Sequence, residues 1–356
     1  MKILFIKLSA IGDVVQTLPA LEAVKKIYPD SELTWVVEEA ASGILEGHPL
    51  INRLLISRRK SWLRMLKSPG TFLQGLKGLW GFFLELRDTR YDIAVDFQGL
   101  LKSGLLIGLA RAERKIGFDR TREPSYLFLN EKLPQFDMEK HALERYLDVA
   151  RYLGSVSPST TCMLPIEREV GAIRGKITKL KQEGKLLVVM NPVARWSTKL
   201  WQEQKFAGLA DRLIAERNAA VIFTGSPDDR PVIERIQGMM KQRAQNWAGD
   251  TTLKELAALA SLSDLFITTD TGPMHLAAAA GARVAALFGP TAPWRTGPYG
   301  PGHIVIRKDL ACSPCFRRKC DMDIRCMQEI SVEDVMERIN EVPRAVIARS
   351  AATKQS

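Results

Sequence analysis

Residues 264–288 read DLFITTDTGPMHLAAAAGARVAALF. A short apolar run (264–268) suits a buried strand, an Ala-rich stretch (273–281) suits a helix, and a second apolar run (283–288) suits the next strand. Strand, helix, strand at this spacing predicts a parallel sheet with crossover helices. The turn between the first strand and the helix is Asp270-Thr271-Gly272-Pro273. Proline fits a first helical turn, where its missing N–H has no intrahelical partner anyway. The free amides at such a helix start, with the helix dipole, form an anion site. Gly272 lets a ligand approach the backbone and Thr271 adds a hydroxyl, so a diphosphate would fit. The plainer alternative is a capped helix with Asp270 or Thr271 as its N-cap.

The same grammar extends outward. Residues 185–190, 220–224 and 264–268 read as strands, and 203–217 and 252–262 as helices. An equivalent series opens the chain. Residues 2–8 (KILFIKL) predict a strand, Ser9-Ala10-Ile11-Gly12 a turn, and Asp13 opens a helical stretch. Pro19, several residues inside that stretch, predicts a kink or restart. Residues 33–38 and 91–97 read as further strands, with helical patterning around 100–111. Two α/β halves are thus expected, joined near 155–184. The expected architecture is α/β, two Rossmann-like domains with a ligand cleft between them. Residues 1–170 form the first, 171–340 the second, and 341–356 a tail whose end, Ala348 to Ser356, is small and polar and expected to fray. No repeat of 20–50 residues is visible.

Composition narrows the class. The chain has 356 residues, 46% hydrophobic and 26% charged, which excludes wholesale disorder. Five cysteines are too few for a disulfide scaffold. The formal net charge is +11, which favours an anionic partner. Residues 51–90 concentrate it, with nine basic residues against Glu85 and Asp88. Within them, residues 62–86 mix Trp62, Phe72, Trp80, Phe82 and Phe83 with cations. The ordinary reading is an amphipathic helix pair covering the sheet. The functional one is a basic, aromatic surface for a membrane or a phosphate-bearing amphiphile. Lys7 interrupts the N-terminal apolar run before it reaches the length of a signal sequence. No uncharged apolar run reaches the roughly 18 residues of a spanning helix. A cytoplasmic protein with reduced thiols is the expectation.

Several catalytic motifs are absent: GxxxxGK[ST], a strand followed by GxGxxG, HExxH and GxSxG. No RNP, zinc-finger or recognition-helix pattern supports a nucleic-acid partner. Asp13, at a strand-to-helix turn, is either a cap or a general base for a sugar hydroxyl. Arg195 and Lys199, in RWSTKLW after the strand at 185–190, could neutralise a leaving diphosphate, with Trp201 anchoring the loop in the core. Cys312, Cys315, Cys320 and Cys326 place four thiols in 15 residues. They could hold zinc or an iron–sulfur cluster, although the spacing matches neither a zinc ribbon nor a common ferredoxin run.

KLSAIGDVVQTLPAL, YDIAVDFQGLLKSGLL and TTDTGPMHLAAAAG with FGPT soon after resemble the ADP-heptose:lipopolysaccharide heptosyltransferases of glycosyltransferase family 9, from residue 1 to about 340. WVVEEA at 35–40 and Thr121-Arg122-Glu123-Pro124 resemble the member that adds the first heptose to Kdo. The resemblance implies a GT-B fold whose N-terminal domain binds acceptor and whose C-terminal domain binds nucleotide sugar. It implies an inverting, metal-independent transfer that requires no cofactor, with Asp13 as general base. Lys199 then lies near the donor phosphates, with Arg195, Asp270, Thr271, Gly272, Pro273, Met274 and His275 in the donor site. Arg59, Lys60, Arg64 and Arg122 would meet Kdo carboxylates and lipid A phosphates. The implied partners are ADP-heptose, a Kdo–lipid A acceptor and the cytoplasmic face of the inner membrane, to which the enzyme would be peripheral. Alternatives are a family 9 transferase for a later core position or another sugar, and a GT-B-like nucleotide-sugar epimerase or hydrolase. The last needs no extended basic acceptor surface.

Overall fold

The computed structural model describes residues 1–135, 137–178, 180 and 185–341. The expected fraying of Ala348–Ser356 lies outside them, as does part of the expected joining segment. The chain forms two units, Met1–Pro165 and Ile166 onward.

The first unit runs β1 (Lys2–Ile6), α1 (Ile11–Ile27), β2 (Glu32–Glu38), α2 (Glu39–Ser42), β3 (Arg53–Ser57), α3 (Arg59–Met65), α4 (Phe72–Arg87), β4 (Arg90–Asp96), α5 (Leu101–Leu109), β5 (Arg111–Phe118), a 3₁₀ turn (Pro124–Phe128), β6 (Glu131–Leu133) and α6 (Ala142–Tyr152). Its six strands are all parallel, in the order β3-β2-β1-β4-β5-β6. β1 is central and covered on both faces, which is why Ile3, Leu4, Phe5 and Ile6 are consecutive and all buried. Phe5 packs edge-on against Trp35 and Phe97, with ring centroids 5.6 and 4.8 Å apart.

The second unit runs α7 (Glu167–Ile177), β7 (Leu186–Asn191), α8 (Glu203–Arg217), β8 (Ala219–Phe223), α9 (Arg230–Met239), β9 (Gln245–Asn246), α10 (Leu253–Leu262), β10 (Leu265–Thr269), α11 (Gly272–Ala279), β11 (Val284–Phe288), α12 (Pro293–Thr296), β12 (Ile304–Arg307), α13 (Arg325–Gln328) and α14 (Val332–Asn340). Its parallel sheet is ordered β12-β11-β10-β7-β8-β9. Counted from each unit's own first strand, both sheets have the doubly wound order 3-2-1-4-5-6. Local signals agree with the boundaries. Thr252 caps α10, accepting from the Glu255 amide at 3.2 Å, while Glu255 accepts from the Thr252 amide at 2.9 Å. Asn218 ends α8 at φ 52°.

Some expectations change. α1 is continuous through Pro19, which is itself buried. One backbone hydrogen bond is lost at proline, but packing on nearly every side holds the helix across the gap. β3, β5, β6, β9, β12, α2, α6, α9, α12, α13 and α14 are elements the sequence reading did not assign. The segment 62–86 forms the expected pair, α3 and α4. No described helix is long and apolar enough to cross a membrane.

Candidate active site

In a doubly wound sheet, ligands bind beyond the carboxyl ends of the strands where the strand order reverses. In the first unit this switch lies between β1 and β4, and in the second between β7 and β10. The predicted residues Lys199 and Asp270 stand on the loops that leave these strands, and Asp13 stands in the first turn of the helix that follows β1.

Asp13 sits in the first turn of α1. Its Oδ2 accepts the Ala10 amide at 2.9 Å, and its Oδ1 accepts the Tyr146 hydroxyl at 2.9 Å. The Lys7 ammonium is 4.0 Å away, and the Asp13 side chain remains 39% exposed. Lys7 itself is buried, donating to Tyr146 Oη at 2.8 Å and to the Phe97 carbonyl at 3.2 Å. Burial pushes the Lys7 ammonium below the usual lysine range, while Asp13 and Asp96 pull the other way. Burial, reinforced by the Asp13 anion, raises the Tyr146 phenol well above its ordinary value. Tyr146 therefore stays protonated and donates. The loop after β4 supports the same turn. Gln98 Oε1 accepts the Leu8 and Ser9 amides at 3.1 and 3.0 Å. Buried Asp96 orders that loop, accepting from the amides of Gln98 (2.9 Å) and Gly99 (3.1 Å) and from the Ser103 hydroxyl (3.0 Å). Burial raises the Asp96 carboxyl above its usual value despite these donors.

Glu38, at the end of β2, is 4% exposed and gathers three cations. Lys102 lies 2.8 Å away, Lys60 3.2 Å and Arg59 3.7 Å. Burial alone would raise the Glu38 carboxyl; the hydrogen bonds from Lys102 and Lys60 prevail and hold it below the usual value. Lys102 also donates to Ser9 Oγ at 3.0 Å, joining this cluster to the Asp13 turn. Arg59 and Lys60 are thus brought together. Arg64 lies further along α3, exposed. Arg122 is exposed on the loop after β5, beside Thr121, which abuts Gly99, and Glu123, which accepts the Leu101 amide at 2.7 Å.

In the second unit, Lys199 Nζ donates to Asp270 Oδ2 at 2.6 Å and to the Asp270 carbonyl at 3.2 Å. The two side chains are only 16% and 7% exposed. Lys199 lies over the Trp196 ring at 4.7 Å and Arg318 over the same ring at 4.9 Å. Thr271 is the N-cap of α11 without a side-chain cap bond; its hydroxyl pairs with that of Thr268 at 3.2 Å. Gly272 and Pro273 open the first turn; proline has no N–H and the Met274 amide donates to Thr271 O at 3.2 Å, which leaves the Gly272 amide without an intrahelical acceptor. Met274 is fully buried, so its thioether packs inward and only its backbone belongs to this turn. His275 is half-buried on the same helix, and Arg195 is exposed on the Lys199 loop. Trp201 is buried, its indole N–H donating to Ile330 O at 2.9 Å. Three buried polar atoms at nearby strand ends, Asn191 Oδ1, Thr269 Oγ1 and Thr291 Oγ1, have no partner among the described residues. An ordered water or a ligand would supply the missing bonds.

The four clustered cysteines line one small cavity with Thr198, Pro290 and Met322. Among the described residues, no set of three or more His, Cys, Asp or Glu side chains is arranged to hold a metal ion. This segment straps the Lys199 loop and the loop after β11. The Thr198 hydroxyl donates to Arg317 O at 2.9 Å, the Phe316 amide to Pro290 O at 2.8 Å, and the Ser313 hydroxyl to Gly289 O at 2.6 Å.

The sequence reading missed Lys7, Glu38, Gln98, Lys102, Tyr146, Trp196 and Arg318 as parts of these sites. One of them carried a signal: Lys7 is a charge that interrupts the apolar run at residues 3–8.

Comparison with known proteins agrees with this geometry. The sequence profile of glycosyltransferase family 9 (heptosyltransferase) matches residues 79–325. The lipopolysaccharide heptosyltransferase 1 of Pseudomonas aeruginosa is 29% identical over 325 residues, 90% of this chain and 87% of that protein. The lipopolysaccharide core heptosyltransferase OpsX of Haemophilus influenzae is 28% identical over 298 residues, 83% of this chain and 80% of that one. The E. coli heptosyltransferase WaaC, solved with ADP, superposes with a TM-score of 0.76 at 26% identity, covering 96% of this chain and 99% of the other. The fold is therefore of the GT-B class, and the chain is an enzyme that belongs to glycosyltransferase family 9, the heptosyltransferases.

Proposed function

We propose that this enzyme transfers a heptose from ADP-heptose to the inner core of lipopolysaccharide, adding the first heptose to Kdo with inversion at the anomeric carbon. The first unit would take the acceptor and the second the nucleotide sugar. The observation that carries the chemistry is the Asp13 carboxylate, accessible yet held by Tyr146, the Ala10 amide and Lys7. A base so placed accepts the acceptor's hydroxyl proton as that oxygen bonds to the anomeric carbon. The bond from that carbon to the diphosphate breaks, and ADP leaves with the electron pair. Lys199, held by Asp270, and the Gly272 amide at the start of α11 would stabilise the growing charge, and Asp270 would meet the heptose hydroxyls. The site needs no metal for this, because an ammonium and a helix terminus answer the diphosphate.

The basic residues favour the Kdo acceptor. Glu38 lies within the WVVEEA segment and orients Arg59 and Lys60. With Arg64 and Arg122 they would meet Kdo carboxylates and lipid A phosphates. Such an acceptor would place the enzyme on the cytoplasmic face of the inner membrane, as a peripheral protein.

The test is ADP release from ADP-heptose with and without Kdo2-lipid A, in the presence of EDTA, with the anomeric configuration of the product read by NMR. Acceptor-dependent release that survives EDTA and inverts the anomer is expected. Release without acceptor would indicate a hydrolase. Release only with a heptosylated core would move the enzyme to a later position.

A further inference from the structure

The helix α4 is apolar on two opposite faces. Phe82 and Leu86 are buried in the core with sheet residues such as Leu4 and Ile6, and Gly75 is buried against α3. Leu73, Leu76, Trp80 and Leu84 fall at i, i+3, i+7 and i+11, one stripe on the opposite side. They are 76, 51, 60 and 50% exposed. Single exposed leucines need no explanation, but a stripe of four large apolar side chains does. The stripe continues onto α5, where Leu101, Leu105 and Leu109 repeat every four residues and are all exposed. The two helices adjoin, with Arg87 of α4 donating to Leu109 O at 2.7 Å.

Charge selects the occupant. Residues 51–90 carry nine cations against two acids, and one of those acids, Asp88, is spent on Arg53 at 2.7 Å. Lys77 stands beside the stripe on α4, and Arg64 and Lys67 lie on and just after the neighbouring α3; all three are exposed and without an ion-pair partner among the described residues. A second copy of the chain would set this cationic face against itself, at a Coulomb cost. An anionic bilayer satisfies both halves of the pattern. Its phosphates attract the cations, and its interface accepts leucines and an indole.

We infer that the outer faces of α4 and α5 are a docking surface for an anionic lipid bilayer, with the Trp80 stripe inserted at the headgroup level and Lys77 on the lipid phosphates. This extends the membrane-facing part of the reading above but requires no sugar transfer, so the two can fail separately. The experiment is co-sedimentation of the full chain with vesicles of phosphatidylcholine alone, or of two parts phosphatidylcholine to one part phosphatidylglycerol. Wild type should bind the anionic vesicles, less at high salt. Leu76→Ser/Trp80→Ser should lower the partition at least about tenfold, and Lys77→Gln about fivefold. Val156→Ser, an exposed apolar residue away from both helices, should change nothing. Because the stripe is exposed, thermal melting should be unaltered in each variant, and activity on a delipidated acceptor should persist. Absence of vesicle binding by wild type would overturn the inference, as would a double variant that binds as wild type does. So would a dimer of the lipid-free wild type that the double variant abolishes, since a second copy would then cover the stripe.

Discussion

The two units share one strand order but arm the same pair of loops with opposite chemistry. In the first, the helix start after the leading strand carries the accessible carboxylate of Asp13, and the loop after the fourth strand only supports it, through Gln98. In the second, the loop after the leading strand carries the cation Lys199, and the fourth-strand loop supplies the carboxylate of Asp270 and the start of α11. Under the proposed mechanism one site takes up a proton and the other holds negative charge. The surroundings differ accordingly. Asp13 rests on a buried ammonium and a phenol with a raised pKa. The Lys199–Asp270 pair is itself largely buried and braced by Trp196.

Substitutions can break or sharpen that contrast. The largest effect is expected from Asp13→Asn, which should lower kcat by about 10² to 10⁴, the usual worth of a general base. ADP affinity, measured by calorimetry, should stay unchanged. Lys199→Met should lower kcat/KM by on the order of a hundredfold and weaken ADP binding. It also strands the Asp270 carboxylate, so the melting temperature should fall; Lys199→Met/Asp270→Asn should recover much of that loss. Tyr146→Phe keeps the ring beside Lys7 and removes one hydrogen bond to Asp13. It should cost about tenfold in kcat, the worth of one hydrogen bond to a charged group, and should shift the pH–rate profile while leaving KM for the donor unchanged. The smallest effect is on stability alone. The Glu38 carboxyl is held below its unfolded value of 4.5. Its contribution is therefore present above about that pH and is lost as pH falls through the lower folded value. Melting temperatures of wild type should drop across that acid window. Glu38→Gln should start lower at neutral pH and lack that part of the decline.

Asp13, Lys199 and Asp270 were legible in the sequence because each lies where an apolar run gives way to a helix start or loop. Their supporting residues were not. Lys7 and Tyr146 meet across 139 residues, and Lys102 and Glu38 across 64. Nothing local to Tyr146 distinguishes it from an ordinary tyrosine on an amphipathic helix. The central strands β1, β7 and β10 were readable because both their faces are covered. β5, RAERKIGF, is charged and part-exposed along its first half, so its pattern does not read as a strand. β3 was hidden inside the cationic segment. The cysteines show the converse. Their clustering was visible, but their packing against Thr198 and Pro290, which ties the segment to the Lys199 loop, is tertiary.

The division of labour between the two units is tested most directly by measuring ADP affinity and single-turnover transfer in Asp13→Asn and Lys199→Met beside wild type. A clean split is expected, with Asp13→Asn binding ADP as wild type does but transferring at least about a hundredfold more slowly, and Lys199→Met losing ADP affinity as well as rate. An Asp13→Asn enzyme that transfers at the wild-type rate, or one that loses ADP affinity as Lys199→Met does, would contradict it.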